Sequence, residues 1–300
     1  MATIVSTFFS YKGGAGRSTT CLNTLPFLVR QSTAHKSAPI LLLDMDIESA
    51  GMTYLLNQQD KFHGKFDVKE LLKNEETWST EKKGDITLHP LYKKFVPVGR
   101  LLGLPSDESV MFLGVDDASP KLDGRYMDTY EGAIKKLIEF ADRHNVRAIV
   151  MDSAAGDQFS ATVAVRKSEK IVFCMRPTHQ FRIGTFNYLK RLSISAGRTG
   201  ADKTIVLLPT VVPADAAIEG KSQLELAIDD IKKRIDSVGN FDFKKNFVSS
   251  KDCFGINEVA RFKWKEGVLY KLKAENGTLA ADEEEGYVRY QKLAEVIWKD

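Results

Sequence analysis

The amino-acid sequence predicts an α/β protein with a doubly wound, mainly parallel sheet that is covered by helices on both faces. Short apolar runs alternate along the chain with amphipathic helical patterns, as is typical of a sheet buried on both sides. Ile134, Leu137, Ile138 and Ala141 mark one such helix, because their spacing places them on one helical face. No repeat or linker tract divides the 300 residues, so we expect a single domain, residues 1–300, with surface insertions.

Six apolar segments are predicted as strands, and they are residues 3–9, 40–43, 95–98, 146–151, 171–175 and 205–208. Pro97 restricts the third of these to an edge of the sheet, since proline has no N–H to donate. Helices are predicted over residues 18–28, around residues 224–235, and over residues 287–298 after an acidic turn at 281–285. The stretches 57–84, 101–128 and 241–286 are interpreted as insertions.

Composition and charge exclude several classes of protein. No apolar run approaches the roughly 20 residues needed to cross a bilayer, and the N-terminal segment lacks the basic start of a signal peptide. The three cysteines, Cys21, Cys174 and Cys253, form no paired framework and no metal-binding spacing. We therefore expect a cytoplasmic protein without a membrane partner. The net charge of +3 is too small to indicate nucleic acid by itself, although basic runs at 232–234 and 244–245 leave nonspecific DNA binding open.

A glycine-rich loop follows the first predicted strand and leads directly into a helix. Glycines allow backbone N–H groups to curl around phosphate oxygens, and the N-terminus of a helix favours an anion. A hydroxyl at the start of that helix is suited to Mg²⁺. The loop is therefore interpreted as a phosphate cradle, with a plain glycine-rich turn as the alternative. Its residues are Lys12, Gly13, Gly14, Ala15, Gly16, Arg17, Ser18 and Thr19, of which Ser18 is the candidate Mg²⁺ ligand.

Aspartates follow two other predicted strands. Asp44 and Asp46 end the apolar run at 40–43, and their spacing places both side chains on one face of an extended chain. Asp152 follows the strand at 146–151 and could supply the hard oxygen ligand that Mg²⁺ prefers. Ligands of open α/β sheets bind at this carboxyl edge. Exposed loop acids, or a helix cap in the case of Asp152, are the alternatives.

The run from Phe9 to Thr19 resembles the deviant Walker A motif of the ParA/MinD ATPases, P-loop proteins whose class includes the nitrogenase iron protein. The resemblance implies that ATP and Mg²⁺ are the cofactors. It also implies that Lys12 reaches across a homodimer to the partner's nucleotide. Two departures are visible, because Tyr11 stands where the first glycine is usual and Arg17 stands where lysine is usual. Arginine keeps the charge but is bulkier and forked, which leaves the hydrolysis rate open.

The same resemblance implies roles for the acidic segments. Asp46 would orient the attacking water, Asp44 would lie near Mg²⁺, and Asp152 would hold it. Gly156, in an Asp-x-x-x-Gly pattern, would sense the γ-phosphate through its N–H. The expected function is a slowly hydrolysing ATPase switch whose ATP-bound dimer controls binding to an unidentified partner protein or to DNA. A nucleotide-binding regulatory module with little turnover is the alternative. Leu208-Pro209-Thr210 ends the last predicted strand, where relatives often contact adenine with an asparagine. No asparagine stands in this segment, so adenine and guanine are not distinguished.

Overall fold

The computed structural model describes residues 2–31, 38–74, 86–176, 178–199, 203–210 and 281–298, with a few short pieces between 217 and 233. Its main feature is a seven-stranded sheet in the order β3-β4-β2-β5-β1-β6-β7. The strands are β1 (Ile4–Ser10), β2 (Ile40–Met45), β3 (Val96–Pro97), β4 (Val110–Leu113), β5 (Ala148–Ala155), β6 (Lys170–Met175) and β7 (Thr204–Pro209). A separate two-stranded ribbon joins β8 (Ala217–Ile218) and β9 (Lys221–Ser222).

The sheet is parallel except at β3, which pairs antiparallel with β4 at one edge. The first strand, β1, lies at the centre between β5 and β6, and β2 pairs with the far side of β5. This order brings the carboxyl ends of β2, β5, β1 and β6 to one edge of the sheet. Asp44 of β2 lies directly opposite Asp152 of β5 in the register. The sheet therefore gathers the candidate site at the edge where open α/β sheets bind ligands.

Helices cover the sheet, and 3₁₀ turns occur between β2 and α5. They are α1 (Arg17–Gln31), α2 (Gly51–Leu55), α3 (Gln59–Phe62), α4 (Val68–Lys73), α5 (Met127–Arg143), α6 (Phe159–Lys167), α7 (His179–Thr199) and α8 (Ala281–Trp298). The last helix packs along α1, where Leu293, Ala294 and Ile297 are buried. The Asn23 amide of α1 donates to the Tyr290 hydroxyl of α8 at 3.5 Å. Packing against α8 thus holds the helix that begins at the glycine-rich loop.

Two groups of buried side chains form the core. The larger includes the apolar side chains of β2 and β4 and extends to α1, α4, α5 and α8. The smaller joins Phe9 of β1 and Phe173 of β6 to Tyr188 and Leu189 of α7. The Phe9 and Tyr188 rings stack with their centroids 4.4 Å apart. Because Phe9 precedes the glycine-rich loop by a few residues, this stack ties α7 to the base of the candidate site.

The structure confirms the predicted fold class and the six predicted strands, including the edge position of the strand that contains Pro97. The interpretation of 101–128 as an insertion was wrong, because β4 lies within it and pairs with β2. The prediction of an exposed acidic turn at 281–285 was also wrong, since these residues begin α8. Acidic side chains favour the first turn of a helix through its dipole, which explains the difference.

Other expectations fall largely outside the described residues. These are the helix around 224–235, most of the insertion at 241–286 and, apart from Lys233, the basic runs at 232–234 and 244–245. The single-domain prediction stays a prediction. Within the described residues, no helix has the length and apolar character needed to span a bilayer.

Candidate functional site

The glycine-rich loop connects β1 to α1 at the carboxyl edge of the sheet. Gly14 and Gly16 have φ angles of 75° and 69°, in the left-handed region that side chains with a Cβ rarely adopt. The backbone curls where these left-handed glycines alternate with residues that are not left-handed. Successive N–H groups then face a common centre. The N–H groups in the first turn of α1 have no partner within the helix. The loop and the helix start together form a concave, electropositive surface of backbone.

Side chains from three neighbouring strands hold the carbonyl groups of this loop. The Ser10 hydroxyl of β1 donates to the Lys12 carbonyl at 2.9 Å. The Thr210 hydroxyl, just after β7, donates to the Ala15 carbonyl at 2.6 Å. The Arg176 Nε, just after β6, donates to the Gly14 carbonyl at 2.7 Å. In a trans peptide, the C=O group and the N–H group of the next residue point in opposite directions. A donor that binds a carbonyl of the loop therefore directs the next N–H away from that donor.

Arg17 is the most buried cation of the site. Its Nε lies 3.1 Å from Asp152 Oδ1, and its terminal nitrogen lies 3.0 Å from Asp46 Oδ2. The arginine side chain is only 9% exposed. Burial alone would lower the pKa of Arg17, but the charges of Asp152 and Asp46 outweigh burial and raise it. The planar guanidinium thus bridges the two carboxylates, which a single ammonium group on lysine could not do with the same fork geometry.

Asp152 keeps one carboxylate oxygen free for a ligand. Its side chain is fully buried, and Oδ2 has no hydrogen-bond partner among the described residues. Burial raises the pKa of Asp152, although the Arg17 charge and the Ser18 hydroxyl lower it in part. A buried, unpartnered carboxylate oxygen is costly unless something occupies it. Asp152 and the Ser18 hydroxyl therefore fit a Mg²⁺ ion, which is commonly held by one or two protein oxygens together with phosphates and water.

Asp44 lies on β2, opposite Asp152, and both of its carboxylate oxygens accept hydrogen bonds from the protein. Thr53 donates to Asp44 Oδ2 from both its backbone N–H and its hydroxyl, each at 2.8 Å. The Asp46 N–H donates to Oδ1 at 3.2 Å. Burial, with a contribution from the Asp152 charge, raises the pKa of Asp44 to about 7 despite these bonds. In this arrangement Asp44 positions the turn that carries Asp46, and its predicted place beside Mg²⁺ stays a prediction.

The segments after β2 and β5 contact each other across the site. The Gln158 amide donates to Glu48 Oε2 at 3.3 Å. Gly156 has a φ of 75°, and its N–H donates to the Ser10 carbonyl at 3.0 Å. The N–H predicted to sense the γ-phosphate is therefore occupied in this conformation, and it would have to leave Ser10 to meet a ligand.

Lys12 lies on the outer side of the loop. Its side chain is exposed, and Nζ donates to Gln180 Oε1 of α7 at 3.3 Å. The neighbouring Tyr11 ring lies against α7 at Gly184, where an added Cβ would be 2.0 Å from the nearest ring carbon. Tyr11, in the position where glycine is usual, thus fills a gap that the absence of a side chain on Gly184 creates.

Across the described residues, no group of three or more His, Cys, Asp or Glu side chains converges as a metal site. The structure instead brings together Arg17, Ser18, Asp44, Asp46 and Asp152, while Lys12 is hydrogen-bonded to Gln180 of α7. Sequence reasoning assigned no site role to Ser10, Thr53, Arg176 or Thr210. Ser10, Arg176 and Thr210 stand at the carboxyl ends of β1, β6 and β7, and that position is the signal that could have found them.

Comparisons with known proteins support the fold. No protein-family profile matches the chain, and no curated protein matches it in sequence. Among solved structures, the cell division ATPase MinD of Pyrococcus furiosus is 18% identical with a TM-score of 0.59, covering 99% of this chain and 98% of MinD. A McdA variant from Cyanothece in complex with ATP is 14% identical with a TM-score of 0.57, covering 87% of each chain. The septum site-determining protein MinD of Pyrococcus horikoshii, complexed with Mg-ADP, is 19% identical with a TM-score of 0.56, covering 98% of this chain and 95% of MinD.

A glycine-rich loop joins the first strand of a mainly parallel sheet to the first helix, and aspartates lie towards the carboxyl ends of β5 and β2, the next two strands on one side of β1. This arrangement defines a P-loop NTPase fold. Within that class, the chain has the fold of MinD and McdA. At these identities the likeness concerns the fold, and the activity is argued below from the site.

Proposed function

We propose that the protein is a Mg²⁺- and ATP-binding switch ATPase. The observation that carries this proposal is the Arg17 bridge between Asp46 and Asp152, with the free Oδ2 of Asp152 beside it. A buried cation, two carboxylates and a concave run of N–H groups at one sheet edge match the charges of a Mg²⁺-bound polyphosphate. Solved neighbours in complex with ATP and with Mg-ADP support the same ligand class.

Each side chain then has a part in binding or hydrolysis. The N–H groups of residues 13–19 bind phosphate oxygens, and Ser18 and Asp152 hold Mg²⁺. When bound, Mg²⁺ supplies positive charge that neutralises the phosphates. Asp46 lies next to Arg17 at the mouth of the site and orients the attacking water. Catalysis of this kind consists mainly of positioning and charge neutralisation, with no covalent intermediate on the protein.

ATP binding also exchanges partners within the site. Arg17 neutralises both carboxylates in the present conformation, and phosphate groups compete with them for its guanidinium. The Gly156 N–H likewise exchanges the Ser10 carbonyl for the γ-phosphate. These two exchanges make the acidic segments after β2 and β5 respond to the nucleotide, as a switch requires.

Dimerisation in the ATP state is the second part of the proposal. Lys12 is exposed on the loop and available to a second copy of the chain. Two chains facing each other across this edge would each offer Lys12 to the other's nucleotide, forming a homodimer that binds a partner protein.

A regulatory module with little turnover is the second candidate. It is favoured by Arg17, whose two ion pairs with the acids of the site hold those acids away from catalysis until the guanidinium is displaced. Tight ATP binding without phosphate release in a single turnover would identify this candidate.

The test measures ATP binding, mass in solution and single-turnover phosphate release for the wild type, Lys12→Ala and Asp46→Ala. We expect ATP to bind and to convert monomer to dimer in the wild type. Lys12→Ala should bind ATP but stay monomeric, and Asp46→Ala should dimerise but release phosphate more slowly by about 100-fold. Lys135→Ala, an exposed lysine of α5, is the control and should behave as the wild type. A wild type that binds no ATP would overturn the proposal.

A further inference from the structure

Arg176 has no acidic partner among the described residues, although its guanidinium lies against the glycine-rich loop. Arg17, Arg166, Arg182 and Arg191 each form an ion pair with a carboxylate. Arg176 has no such pair in this part of the chain, and its Nε donates to the Gly14 carbonyl at 2.7 Å. Half-buried guanidinium groups without a counter-ion are electrostatically unfavourable, so an anion beside Arg176 would be stabilised.

The position of Arg176 follows from the strand order. It comes directly after β6, which pairs with β1 on the side opposite to β5. The loop after β1 is therefore flanked by Asp152 on one side and by Arg176 on the other. The Arg176 terminal nitrogen lies 3.5 Å from where a Cβ of Gly14 would be, so the guanidinium lies directly against the curled loop.

The bond through Nε leaves the two terminal nitrogens of Arg176 for other acceptors. Gly14 is a left-handed residue at the centre of the N–H cradle, so those nitrogens are next to the place where phosphate oxygens bind. Arg17 differs, since two carboxylates already occupy its fork. Of the two arginines at the loop, Arg17 is bonded to two carboxylates, whereas the terminal nitrogens of Arg176 are available to a ligand.

We propose that Arg176 is a phosphate-binding residue of this site and supplies positive charge that is accessible in the present conformation, in which Arg17 is paired with Asp46 and Asp152. The assignment rests on the proposed function for the identity of the ligand, a nucleoside polyphosphate, but its own basis is the geometry of Arg176 and Gly14. Arg176 also holds the loop through the Gly14 carbonyl, and the experiment must separate that structural contribution from the contact with phosphate.

The experiment compares Arg176→Gln, Arg176→Lys and the wild type in calorimetric titrations with Mg-ATP, Mg-ADP, AMP and inorganic tripolyphosphate. Glutamine keeps an N–H donor for the Gly14 carbonyl and removes the charge. We expect Arg176→Gln to bind ATP and tripolyphosphate about 10- to 100-fold more weakly, as for loss of a charged hydrogen bond. AMP binding should change by less than the error of the titration. Arg176→Lys should recover part of the loss because it restores the charge but not the fork.

Arg143→Gln is the matched control. Arg143 also donates from Nε to a backbone carbonyl, that of Glu139, but lies on α5 away from the loop. It should leave every affinity unchanged, and equal melting temperatures of all variants show that the fold is intact. Equal ATP affinity of Arg176→Gln and the wild type would overturn the assignment alone. If the wild type binds tripolyphosphate but not ATP, the proposed ATPase is lost, and a weaker tripolyphosphate affinity of Arg176→Gln still supports the phosphate contact. A wild type that binds neither ligand would overturn both.

Discussion

Replacing Arg17 with methionine tests whether its guanidinium compensates the acids of the site. The variant keeps an apolar stem but leaves Asp152, whose side chain is fully buried, without its cation. Removing one partner of a buried ion pair typically costs about 3–5 kcal/mol. The second pair contributes less, because Asp46 is 14% exposed and partly solvated. We therefore expect Arg17→Met to lower the free energy of unfolding by about 3 kcal/mol at pH 7.5.

The pH dependence of this loss is a sharper criterion than its size. Burial already raises the pKa of Asp152, and removing the Arg17 charge raises it further. A carboxyl whose pKa is higher in the folded state contributes stability at low pH and loses it as pH rises through that pKa. The deficit of Arg17→Met relative to the wild type should thus shrink between pH 7.5 and pH 5, measured by urea unfolding.

Two companion variants complete this test. Arg17→Lys keeps a charge and should lose less stability than Arg17→Met. Adding Asp152→Asn to Arg17→Met removes the unpaired charge and should restore much of the stability, with a coupling energy of about 2 kcal/mol. A deficit that is the same at both pH values, or an additive double mutant, would refute the role of Arg17 as counter-charge for Asp152.

Two further predictions concern the supports of the site. The pKa of Asp44 is raised to about 7, above that of the unfolded chain, so its contribution to stability should fall as pH rises towards 7, by at most roughly 1.4 kcal/mol per pH unit. Asp44→Asn should flatten that slope in urea unfolding between pH 5 and pH 8, and an unchanged slope would contradict the raised pKa. Thr210→Val removes the hydroxyl bond to the Ala15 carbonyl, while the backbone N–H of residue 210 keeps its bond to the Met175 carbonyl. The variant should cost about 1–2 kcal/mol of stability and weaken ATP binding. Thr210→Ser should restore both, whereas an equal loss in Thr210→Ser would point to packing of the methyl group instead.

Much of the fold was predictable because the buried strands are continuous apolar runs. β1, β2, β5 and β6 consist largely of such residues, and their bounds agree with the sequence prediction to within two or three positions at most ends. β4 was missed because four apolar residues between turns do not distinguish a strand from a buried loop. Its assignment depends on pairing with β2, and pairing between distant segments is not visible in a local pattern.

The candidate site was predictable in its members but only partly in its arrangement. Position after a strand was enough to single out Asp44, Asp46 and Asp152, since parallel strands end at one edge. The sequence could not show that Arg17 turns towards two of these acids, because side-chain direction depends on the burial and charge of the assembled site. It also could not show that both oxygens of Asp44 would be bonded by Thr53 and the Asp46 N–H.

The glycine-rich loop departs from its usual pattern at two positions, and the sheet explains how both are accommodated. Three carbonyls of the loop are held by donors from β1, from the residue after β6 and from the residue after β7, so its curvature depends on the strand order as well as on its glycines. Tyr11 needs no left-handed backbone under these constraints, and its ring occupies the gap at Gly184. Arg17 reaches below the loop because aspartates end the strands on that side. Tyr11 and Arg17 are therefore each accommodated by residues that are distant in sequence, Gly184 for Tyr11 and the aspartates for Arg17. This is expected when the residues of a native fold support one another.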